Sequence, residues 1–277
     1  MADETVLIRK DQSRLPVADS AAPIKDEKGE VIGVIVTFRD ASEERKIQQM
    51  RSEFMSLASH ELKAPLTVIR DYLDELKDEA VGSLTKEQQR LIGIAMKAST
   101  RLLKLTYDLL ETARLEEGHV KTEPLVVDPI DLAEKVMTAE LRQAFKQKKQ
   151  EFTFKKPDSL PKIKVDPKFI MVPIKNLLSN ASKYTPEKGK IEFEISQTKG
   201  GILFRISDSG RGILPEERFK IFQRFFRASN VTHLERGTGL GLYMTKLMIE
   251  LSGGRIWFES EENKGTTFYF ILPVFKQ

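Results

Sequence analysis

The sequence predicts a multidomain protein in which a short N-terminal β segment and a long antiparallel helical hairpin precede an α+β two-layer sandwich. Three observations predict this fold class. Strand-like runs fill the first 40 residues, helical periodicity then continues to about residue 116, and the remainder mixes strands and helices without regular alternation. Such mixing favours an α+β sandwich over a βαβ architecture. We therefore expect domains at residues 1–41, 42–118 and 122–277.

The composition excludes several classes of function. Of the 277 residues, 40% are hydrophobic and 31% are charged, which suits packed cores beneath a charged surface. The net charge of +4 is small and by itself argues neither for nor against nucleic acid. No basic run is interleaved with aromatic residues, and no nucleic-acid partner is expected. The absence of cysteine excludes disulfides and thiolate chemistry, and three scattered histidines argue against a zinc site.

No membrane segment is expected in this chain. No stretch approaches about 18 consecutive apolar residues, and the N-terminus is acidic rather than basic-then-apolar as in a signal sequence. The sequence as given predicts a cytoplasmic polypeptide. It is also compatible with the soluble part of a longer, membrane-anchored protein.

The N-terminal segment predicts three antiparallel strands, at Thr5–Arg9, Leu15–Ile24 and Val31–Phe38. Three strands without a covering helix bury only one face poorly, so the segment is interpreted as an incomplete domain. It resembles the C-terminal half of a PAS sensor domain, with Arg39-Asp40-Ala41-Ser42 where that family commonly has an Asp-x-Thr exit. An unrelated hairpin cap is the alternative.

Two long helices follow. Ser42 can cap the first, which is predicted to run to about Leu76 with a kink at Pro65, and the second is predicted from Thr85 to about Glu116. Apolar positions of the second helix alternate steps of four and three; they are Leu91, Ala95, Ala98, Leu102, Leu105, Leu109 and Thr112. Two helices cannot enclose this apolar seam. We therefore expect a homodimer that forms a four-helix bundle.

His60 lies opposite the apolar stripe of the first helix. At about 100° per residue it falls roughly 190° from the middle of that stripe, so the imidazole is expected to face water. The stripe consists of Phe54, Ala58, Leu62, Pro65, Ile69, Leu73 and Leu76. By itself this pattern is more typical of a surface histidine that only solvates a helix face.

Beyond residue 122 the sequence predicts the sandwich. The predicted helices are Ile130–Lys146, Asp166 or Pro167 to Lys183, a short one from Pro215 to about Phe222, and Leu240–Leu251. The predicted strands are Glu151–Lys155, Lys190–Gln197, Gly201–Ser207, Gly254–Glu259 and Thr266–Leu272.

Two polar motifs of this domain suit Mg²⁺, a phosphate and a flat ligand. Asn176, Asn180 and Lys183 are spaced to share one helix face, where amide oxygens suit Mg²⁺ and an ammonium suits a phosphate. The second motif, Asp208-Ser209-Gly210-Arg211-Gly212, directly follows a strand. Its carboxylate can accept a hydrogen bond from an exocyclic amine, and its glycines allow the backbone to approach a flat ligand closely. Taken singly, each has an ordinary explanation: surface polarity for the first and an Asp-Gly turn for the second.

A phenylalanine run and a glycine run complete the set. Phe219, Phe222, Phe225 and Phe226 precede Arg227; this spacing is commonly core packing, although the rings could also anchor the long loop that follows. Gly237-Thr238-Gly239-Leu240-Gly241 opens a helix, where backbone N–H groups can receive an anion. It is not a Walker loop, because the chain has no Gly-Lys-Ser/Thr, nor a dinucleotide fingerprint, because no parallel βαβ unit precedes it.

In this order the motifs resemble those of a bacterial sensor histidine kinase. The stretch around His60 resembles the phosphoacceptor box, and the four motifs resemble the N, G1, F and G2 boxes, over roughly residues 42 to 275. The resemblance implies a dimeric helical hairpin joined to an ATP-binding domain of the fold shared with gyrase, a heat-shock chaperone and mismatch-repair ATPases. It also implies ATP and Mg²⁺ as cofactors and a response-regulator receiver domain as partner.

The resemblance assigns roles to individual residues. Asn176 would coordinate Mg²⁺, Asn180 and Lys183 would contact phosphates, and Tyr184 would line the nucleotide site. Asp208 would bind the adenine amine.

The glycine motifs and one arginine are carried over in the same way. Gly210 and Gly212 would shape the adenine pocket. Gly237, Gly239 and Gly241, with Thr238 and Leu240 between them, would hinge the lid and receive phosphate. Arg227 matches a lid-side arginine that can reach the γ-phosphate.

The implied reaction is autophosphorylation of His60 from Mg-ATP, followed by transfer to a receiver aspartate. Glu61 is expected to hold or accept the Nδ1 proton, so that Nε2 attacks. Ala64 departs from the family pattern of Thr or Asn four residues after the histidine. Because alanine cannot orient a water, we expect kinase activity without efficient phosphatase activity.

Two other classes of function remain open on the sequence. A chaperone-like or gyrase-like ATPase would release phosphate without a phosphohistidine, and a non-catalytic dimeric scaffold would not bind nucleotide. Spacing does not fix whether ATP on one chain phosphorylates its own His60 or its partner's. It also does not identify the stimulus or the receiver.

Overall fold

The computed structural model describes residues 5–77, 82–116, 120–232 and 238–275. The chain forms two compact units, residues 1–64 and 65–277. The predicted fold class is confirmed: a helical hairpin precedes an α/β domain, and a short β segment lies at the N-terminus.

The first unit contains the three predicted antiparallel strands. They are β1 (Val6–Ile8), β2 (Arg14–Lys25) and β3 (Val31–Asp40), in the order β1-β2-β3. Asp26 forms the turn between β2 and β3, because its carboxylate accepts hydrogen bonds of 2.9 Å from the amides of Lys28 and Glu30.

This sheet buries little of its apolar surface. Most side chains of β3 are exposed, and Ile32 and Phe38 are 67% and 57% exposed, whereas Val17 is one of the few buried residues. Three strands cannot enclose a core by themselves. The likeness to half a PAS domain stays a prediction.

Helix α1 (Ser42–Lys77) and helix α2 (Lys86–Glu116) form the hairpin. The structure keeps α1 helical through Pro65, so the proline does not end it. A capping box begins α2: the Thr85 amide donates to Gln88 Oε1 at 2.8 Å, and the Gln88 amide donates to Thr85 Oγ1 at 3.2 Å.

The apolar seam of the hairpin is not closed within one chain. Leu66 is buried, and Ser99 Oγ donates a hydrogen bond of 3.2 Å to the Leu66 carbonyl, which joins the two helices. In contrast, Ile69, Leu91 and Leu102 are 50%, 52% and 44% exposed. A single hairpin therefore leaves much of the predicted seam facing solvent.

The C-terminal domain contains five helices and seven strands within the described ranges. In chain order these are β4 (Leu125–Val127), α3 (Pro129–Val136), α4 (Ala139–Gln147), β5 (Glu151–Lys155), β6 (Ile163–Val165), α5 (Pro167–Tyr184), β7 (Lys190–Thr198), β8 (Gly201–Asp208), α6 (Ser229–Thr232), α7 (Gly241–Leu251), β9 (Arg255–Glu261) and β10 (Gly265–Leu272). A 3-10 helix, Pro215–Lys220, lies between β8 and α6.

The main sheet has the order β5-β7-β8-β10-β9, with β5 parallel to β7 and the other pairs antiparallel. Side chains of β7, β8 and β10 alternate between buried and partly exposed, so the helices cover one face of the sheet. Phe204 and Phe270 stack across two of these strands with ring centroids 4.5 Å apart. This is the predicted two-layer arrangement.

One prediction about the start of this domain was wrong, and one small sheet there was not predicted. The predicted helix Ile130–Lys146 is divided into α3 and α4, because Thr138 leaves the helical conformation and caps α4 through its hydroxyl. The small antiparallel sheet of β4 and β6 was not predicted. Strands of three residues are too short for a periodic signal.

The segment after Pro215 is a 3-10 helix that ends at Lys220, slightly shorter than the helix predicted to Phe222. Among the described helices, none combines the length and the apolar character that crossing a bilayer requires.

Candidate functional site

A cavity in the C-terminal domain brings together five residues of the sequence-predicted site. Its lining includes Asn180, Tyr184, Asp208, Gly212 and Arg227. Apolar side chains complete the walls, among them Ile213, Ile221, Leu242 and Phe268. An apolar slot with a few convergent polar groups is the usual form of a small-molecule site.

Asp208 is the last residue of β8, and its carboxylate lies in a largely apolar environment. Its Oδ1 accepts a hydrogen bond of 2.8 Å from the Gly210 amide. Burial raises the pKa of Asp208 to about 6, and hydrogen bonds from the amides of Gly210 and Thr266 offset only part of that effect. The carboxylate thus retains acceptor capacity for a buried donor.

Gly210 and Gly212 are required by the protein's own backbone. A Cβ at Gly210 would lie 2.7 Å from the Tyr184 carbonyl oxygen, and one at Gly212 would lie 2.0 Å from the Glu261 carbonyl oxygen. Gly212 also has φ +65°, which disfavours other residues. These glycines therefore shape the cavity by allowing its walls to pack closely.

Helix α5 supplies Asn176, Asn180, Lys183 and Tyr184. Asp166 begins the helix by accepting hydrogen bonds from the amides of its first turn. At its other end, Lys183 Nζ lies 4.9 Å from the centroid of the Tyr184 ring. The 3.6-residue period places the two asparagines one turn apart, as predicted from their spacing.

Two residues far upstream hold the last turn of α5. Gln150 Nε2 donates to the carbonyls of Ser182 and Thr185 at 2.9 and 2.8 Å, and Ser182 Oγ donates to Gln150 Oε1 at 2.8 Å. Lys148 Nζ donates to the carbonyls of Ser182 and Lys183 at 3.0 and 2.8 Å. Sequence reasoning missed both residues, because no local pattern connects them to α5.

The phenylalanine run is divided between core and surface. Phe222 and Phe226 pack against the core, and Phe222 meets Phe258 edge to face at 5.9 Å, whereas Phe219 and Phe225 are 71% and 58% exposed. The two inward rings anchor the segment that leads to Arg227 at the cavity.

The glycine run lies at the start of α7, next to α5. Gly239 has φ +75°, and a Cβ there would lie 2.6 Å from the Phe225 carbonyl carbon. Leu240 is 1% exposed. Gly237 lies outside the described residues.

Helix α2 contacts this region through polar side chains. Thr238 Oγ1 donates to Asp108 Oδ2 at 3.0 Å, and Tyr243 OH donates to Glu116 Oε1 at 2.6 Å. Arg224 forms an ion pair with the same Glu116 carboxylate. The sequence contains no local signal for these contacts.

The predicted phosphoacceptor stretch lies within α1. The helix includes His60, whose side chain lies outside the described part of the chain. Glu61 and Ala64 have exposed side chains. The predicted roles of these residues stay predictions.

Asn176 is the residue whose chemistry fits a bound Mg²⁺. Its Nδ2 donates a hydrogen bond of 2.8 Å to Thr245 Oγ1, which leaves the amide oxygen as its ligating atom. The described residues contain no cluster of three His, Cys, Asp or Glu side chains that could hold a metal.

Two protein families match the chain. Residues 50–118 match the His Kinase A (phospho-acceptor) domain, and residues 165–276 match the family described as Histidine kinase-, DNA gyrase B-, and HSP90-like ATPase. The order of the two matches agrees with the hairpin and the sandwich.

Curated relatives are sensor kinases. Sensor histidine kinase WalK of Bacillus subtilis (strain 168) is 31% identical over 279 residues, which cover 96% of this chain and 44% of the relative. Sensor protein SrrB of Staphylococcus aureus (strain NCTC 8325 / PS 47) is 32% identical over 254 residues, covering 90% and 42%. The chain therefore spans less than half the length of these relatives.

A solved structure has the same fold. The crystal structure of full-length ShkA in complex with AMPPNP aligns with a TM-score of 0.68 and 28% identity, over 80% of this chain and 46% of that one. The likeness to Acinetobacter baumannii histidine kinase AdeS, with a TM-score of 0.55 and 20% identity, supports the fold alone.

Proposed function

The chain carries the catalytic core of a sensor histidine kinase, and from this premise we propose that it binds Mg-ATP in the cavity and transfers the γ-phosphoryl group to His60. The observation that carries the proposal is the cavity itself. It combines a buried acceptor at the end of β8 with the amide of Asn180 on α5, downstream of a hairpin that matches the phosphoacceptor family.

Each part of the cavity suits one part of ATP. Asp208 accepts a hydrogen bond from the adenine amine, and the apolar walls cover the ring. Asn180 and Lys183 contact the phosphates. Backbone N–H groups at Gly239 and Gly241 add donors at the start of α7, where the helix dipole favours an anion.

Transfer depends on positioning and on charge stabilisation more than on covalent help. His60 Nε2 forms a bond to the γ-phosphorus as the bond from phosphorus to the β–γ bridging oxygen breaks, and ADP leaves. Glu61 holds the Nδ1 proton so that the attacking nitrogen is neutral. Asn176 would hold Mg²⁺ through its amide oxygen, and the bound ion would neutralise phosphate charge. Arg227, which lines the cavity, supplies a second cation to the phosphates.

The phosphohistidine then passes its phosphoryl group to an aspartate of a receiver domain, which is the proposed protein partner. A homodimer is the proposed assembly, because the half-exposed seam at Ile69, Leu91 and Leu102 needs a partner of the same pattern. In a four-helix bundle, the hairpin of the second chain covers this seam.

Incubation with γ-labelled ATP tests the proposal. Acid-labile and base-stable label is expected on the wild type and on a His119→Ala control, and no label is expected on His60→Ala. The His60→Ala protein should still bind nucleotide. Label that persists on His60→Ala would exclude His60 as the acceptor.

Product analysis separates kinase from hydrolase. Free phosphate released at the full rate without any phosphohistidine would instead support a clamp ATPase of the gyrase kind. A chain that fails to bind ATP altogether would support the scaffold function.

A further inference from the structure

Thr245 lies on α7 directly against the carboxamide of Asn176. Asn176 Nδ2 donates a hydrogen bond of 2.8 Å to Thr245 Oγ1, and Thr245 is only 1% exposed. An amide nitrogen has no lone pair to offer a cation. This hydrogen bond therefore holds the non-ligating end of the carboxamide on α7.

Gly241, one turn before Thr245, lies against the same carboxamide. A Cβ at Gly241 would be 3.0 Å from Asn176 Oδ1 and 3.1 Å from Asn176 Nδ2. A side chain at position 241 would therefore crowd the carboxamide. Glycine provides the space, and the threonine hydroxyl sets the rotation of the amide within it.

The amide oxygen remains available. Within the described ranges, Asn176 makes one side-chain hydrogen bond, through its nitrogen to Thr245. An oxygen without a protein donor keeps both lone pairs for a ligand.

We propose that Thr245 is a positioning residue that sets the orientation of the Asn176 carboxamide for a divalent cation. This inference rests on the proposed function, in which Asn176 contributes a ligand to Mg²⁺. The oxygen and nitrogen ends of a carboxamide have nearly the same shape, so packing alone does not distinguish them. In the structure the Thr245 hydroxyl accepts from the nitrogen end, and the nitrogen loses that acceptor if the hydroxyl is removed. Partners that orient a metal ligand commonly change metal affinity by about 10- to 100-fold when they are lost.

A matched pair of variants separates the hydroxyl from the shape of the side chain. Thr245→Val keeps the β-branched volume and removes the acceptor, whereas Thr245→Ser keeps the acceptor. ATP binding is measured by calorimetry over a range of Mg²⁺ concentrations and again in EDTA. Thr245→Val should raise the half-saturating Mg²⁺ concentration roughly tenfold. It should leave ATP affinity in EDTA unchanged, and Thr245→Ser should resemble the wild type.

A general packing defect has a different signature. Equal losses of ATP affinity with and without Mg²⁺, or no change in the Mg²⁺ midpoint, would overturn the positioning role. Urea unfolding of the nucleotide-free variants checks that they fold. If Thr245→Val does not fold, Thr245→Ala removes the same acceptor with less bulk and is measured in its place.

Asn176→Ala separates this inference from the function on which it rests. If Asn176→Ala leaves the Mg²⁺ dependence unchanged, the proposed metal ligand is wrong. If Asn176→Ala alters it and Thr245→Val does not, only the positioning role is wrong. If both proposals hold, adding Thr245→Val to Asn176→Ala produces no further change, because the amide that Thr245 orients is already absent.

Discussion

Thr238 Oγ1 donates a hydrogen bond of 3.0 Å to Asp108 Oδ2, which joins the glycine run before α7 to helix α2 across 130 residues of sequence. Burial raises the pKa of Asp108, and the Thr238 hydroxyl opposes part of that rise. Eight residues further along α2, Glu116 accepts a hydrogen bond from Tyr243 and pairs with Arg224. The hairpin and the nucleotide domain therefore share a polar contact next to the proposed phosphate site.

Glu116→Ala should loosen this contact. Tyr243 loses its acceptor and Arg224 loses its ion-pair partner in a partly buried position, so we expect a loss of about 1 to 2 kcal/mol in the free energy of unfolding. Hydrogen exchange should become faster at the end of α2 and at the start of α7. Glu111→Ala, which removes a pair with Arg114 within one helix, is the control and should change neither region measurably. Equal exchange rates in both variants would contradict the prediction.

Asp208→Asn should stabilise the nucleotide-free protein at pH 7.5. Burial raises the pKa of Asp208 to about 6 in the folded chain, from its ordinary value of 3.8. Between these values the folded state holds the proton more tightly than the unfolded state, so the stability contribution of this group falls as the pH rises through the window. Above pH 6 the ionised carboxylate lowers the free energy of unfolding by an amount on the order of 2 to 3 kcal/mol.

The measurement is Tm as a function of pH. Asp208→Asn should melt higher than the wild type at pH 7.5, and the difference should vanish towards pH 4. ATP binding should be lost, because an amide NH₂ would face the adenine amine. Asp158→Asn, at an exposed position, provides the control. A variant that is less stable at pH 7.5 would show that the carboxylate's hydrogen bonds outweigh its burial.

Gln150→Ala should weaken the end of α5. It removes the donor that Ser182 and Thr185 share and the acceptor of the Ser182 hydroxyl. Buried groups left unpaired cost about 1 to 3 kcal/mol each, so we expect a loss of roughly 2 to 4 kcal/mol in the free energy of unfolding. Urea unfolding measures it, and the exposed Gln143→Ala on α4 should cost less than about 0.5 kcal/mol. Similar losses in both would exclude a special role for Gln150.

The sequence predicted the parts of the fold that depend on local periodicity. Helices α1 and α2 satisfy an apolar repeat over many turns, and β7 and β8 alternate around a Gly-containing turn. Thr138 interrupts a helical pattern through its own capping hydroxyl, and a pattern of apolar spacing does not detect that interruption.

The candidate site was predicted in part for the same reason. Asn176 and Asn180 are one helical turn apart, so their shared face follows from spacing. Contacts such as Asn176 with Thr245, 69 residues apart, depend on how α5 packs against α7. Neither residue type nor local spacing predicts how these two helices pack. The structural reason for Gly210 and Gly212, close contact with the protein's own carbonyls, is likewise a tertiary property.

Leu102→Glu should convert the proposed dimer to a monomer. Leu102 is 44% exposed in the single chain, so the substitution introduces little strain there, but it places a carboxylate in the seam that two hairpins would share. Light scattering coupled to size-exclusion chromatography reports the mass, and the C-terminal domain should keep its ATP affinity. Thr100→Glu adds the same charge at an exposed position outside the seam and should remain dimeric. A dimeric Leu102→Glu would exclude this seam as the interface.

Ala64→Thr should create or raise phosphatase activity towards the phosphorylated receiver. Position 64 is one helical turn beyond His60, and its side chain is exposed. A threonine hydroxyl there can hold a water for attack on the receiver's acyl phosphate, whereas alanine offers neither donor nor acceptor. Orienting one reactant is worth at least about tenfold in rate, so we expect dephosphorylation to accelerate by that factor.

The matched control for this prediction is Ala64→Val, which has nearly the shape of threonine without its hydroxyl. Ala64→Val should dephosphorylate the receiver as slowly as the wild type. The rate of autophosphorylation of His60 should change less than about threefold in either variant, because neither substitution removes a group used in the forward transfer. The rate of loss of label from an isolated, phosphorylated receiver measures the effect. A wild-type chain that removes the phosphoryl group as fast as Ala64→Thr would show that another residue orients the water. If Ala64→Val accelerated dephosphorylation as much as Ala64→Thr, the bulk of the side chain rather than its hydrogen bonding would be responsible.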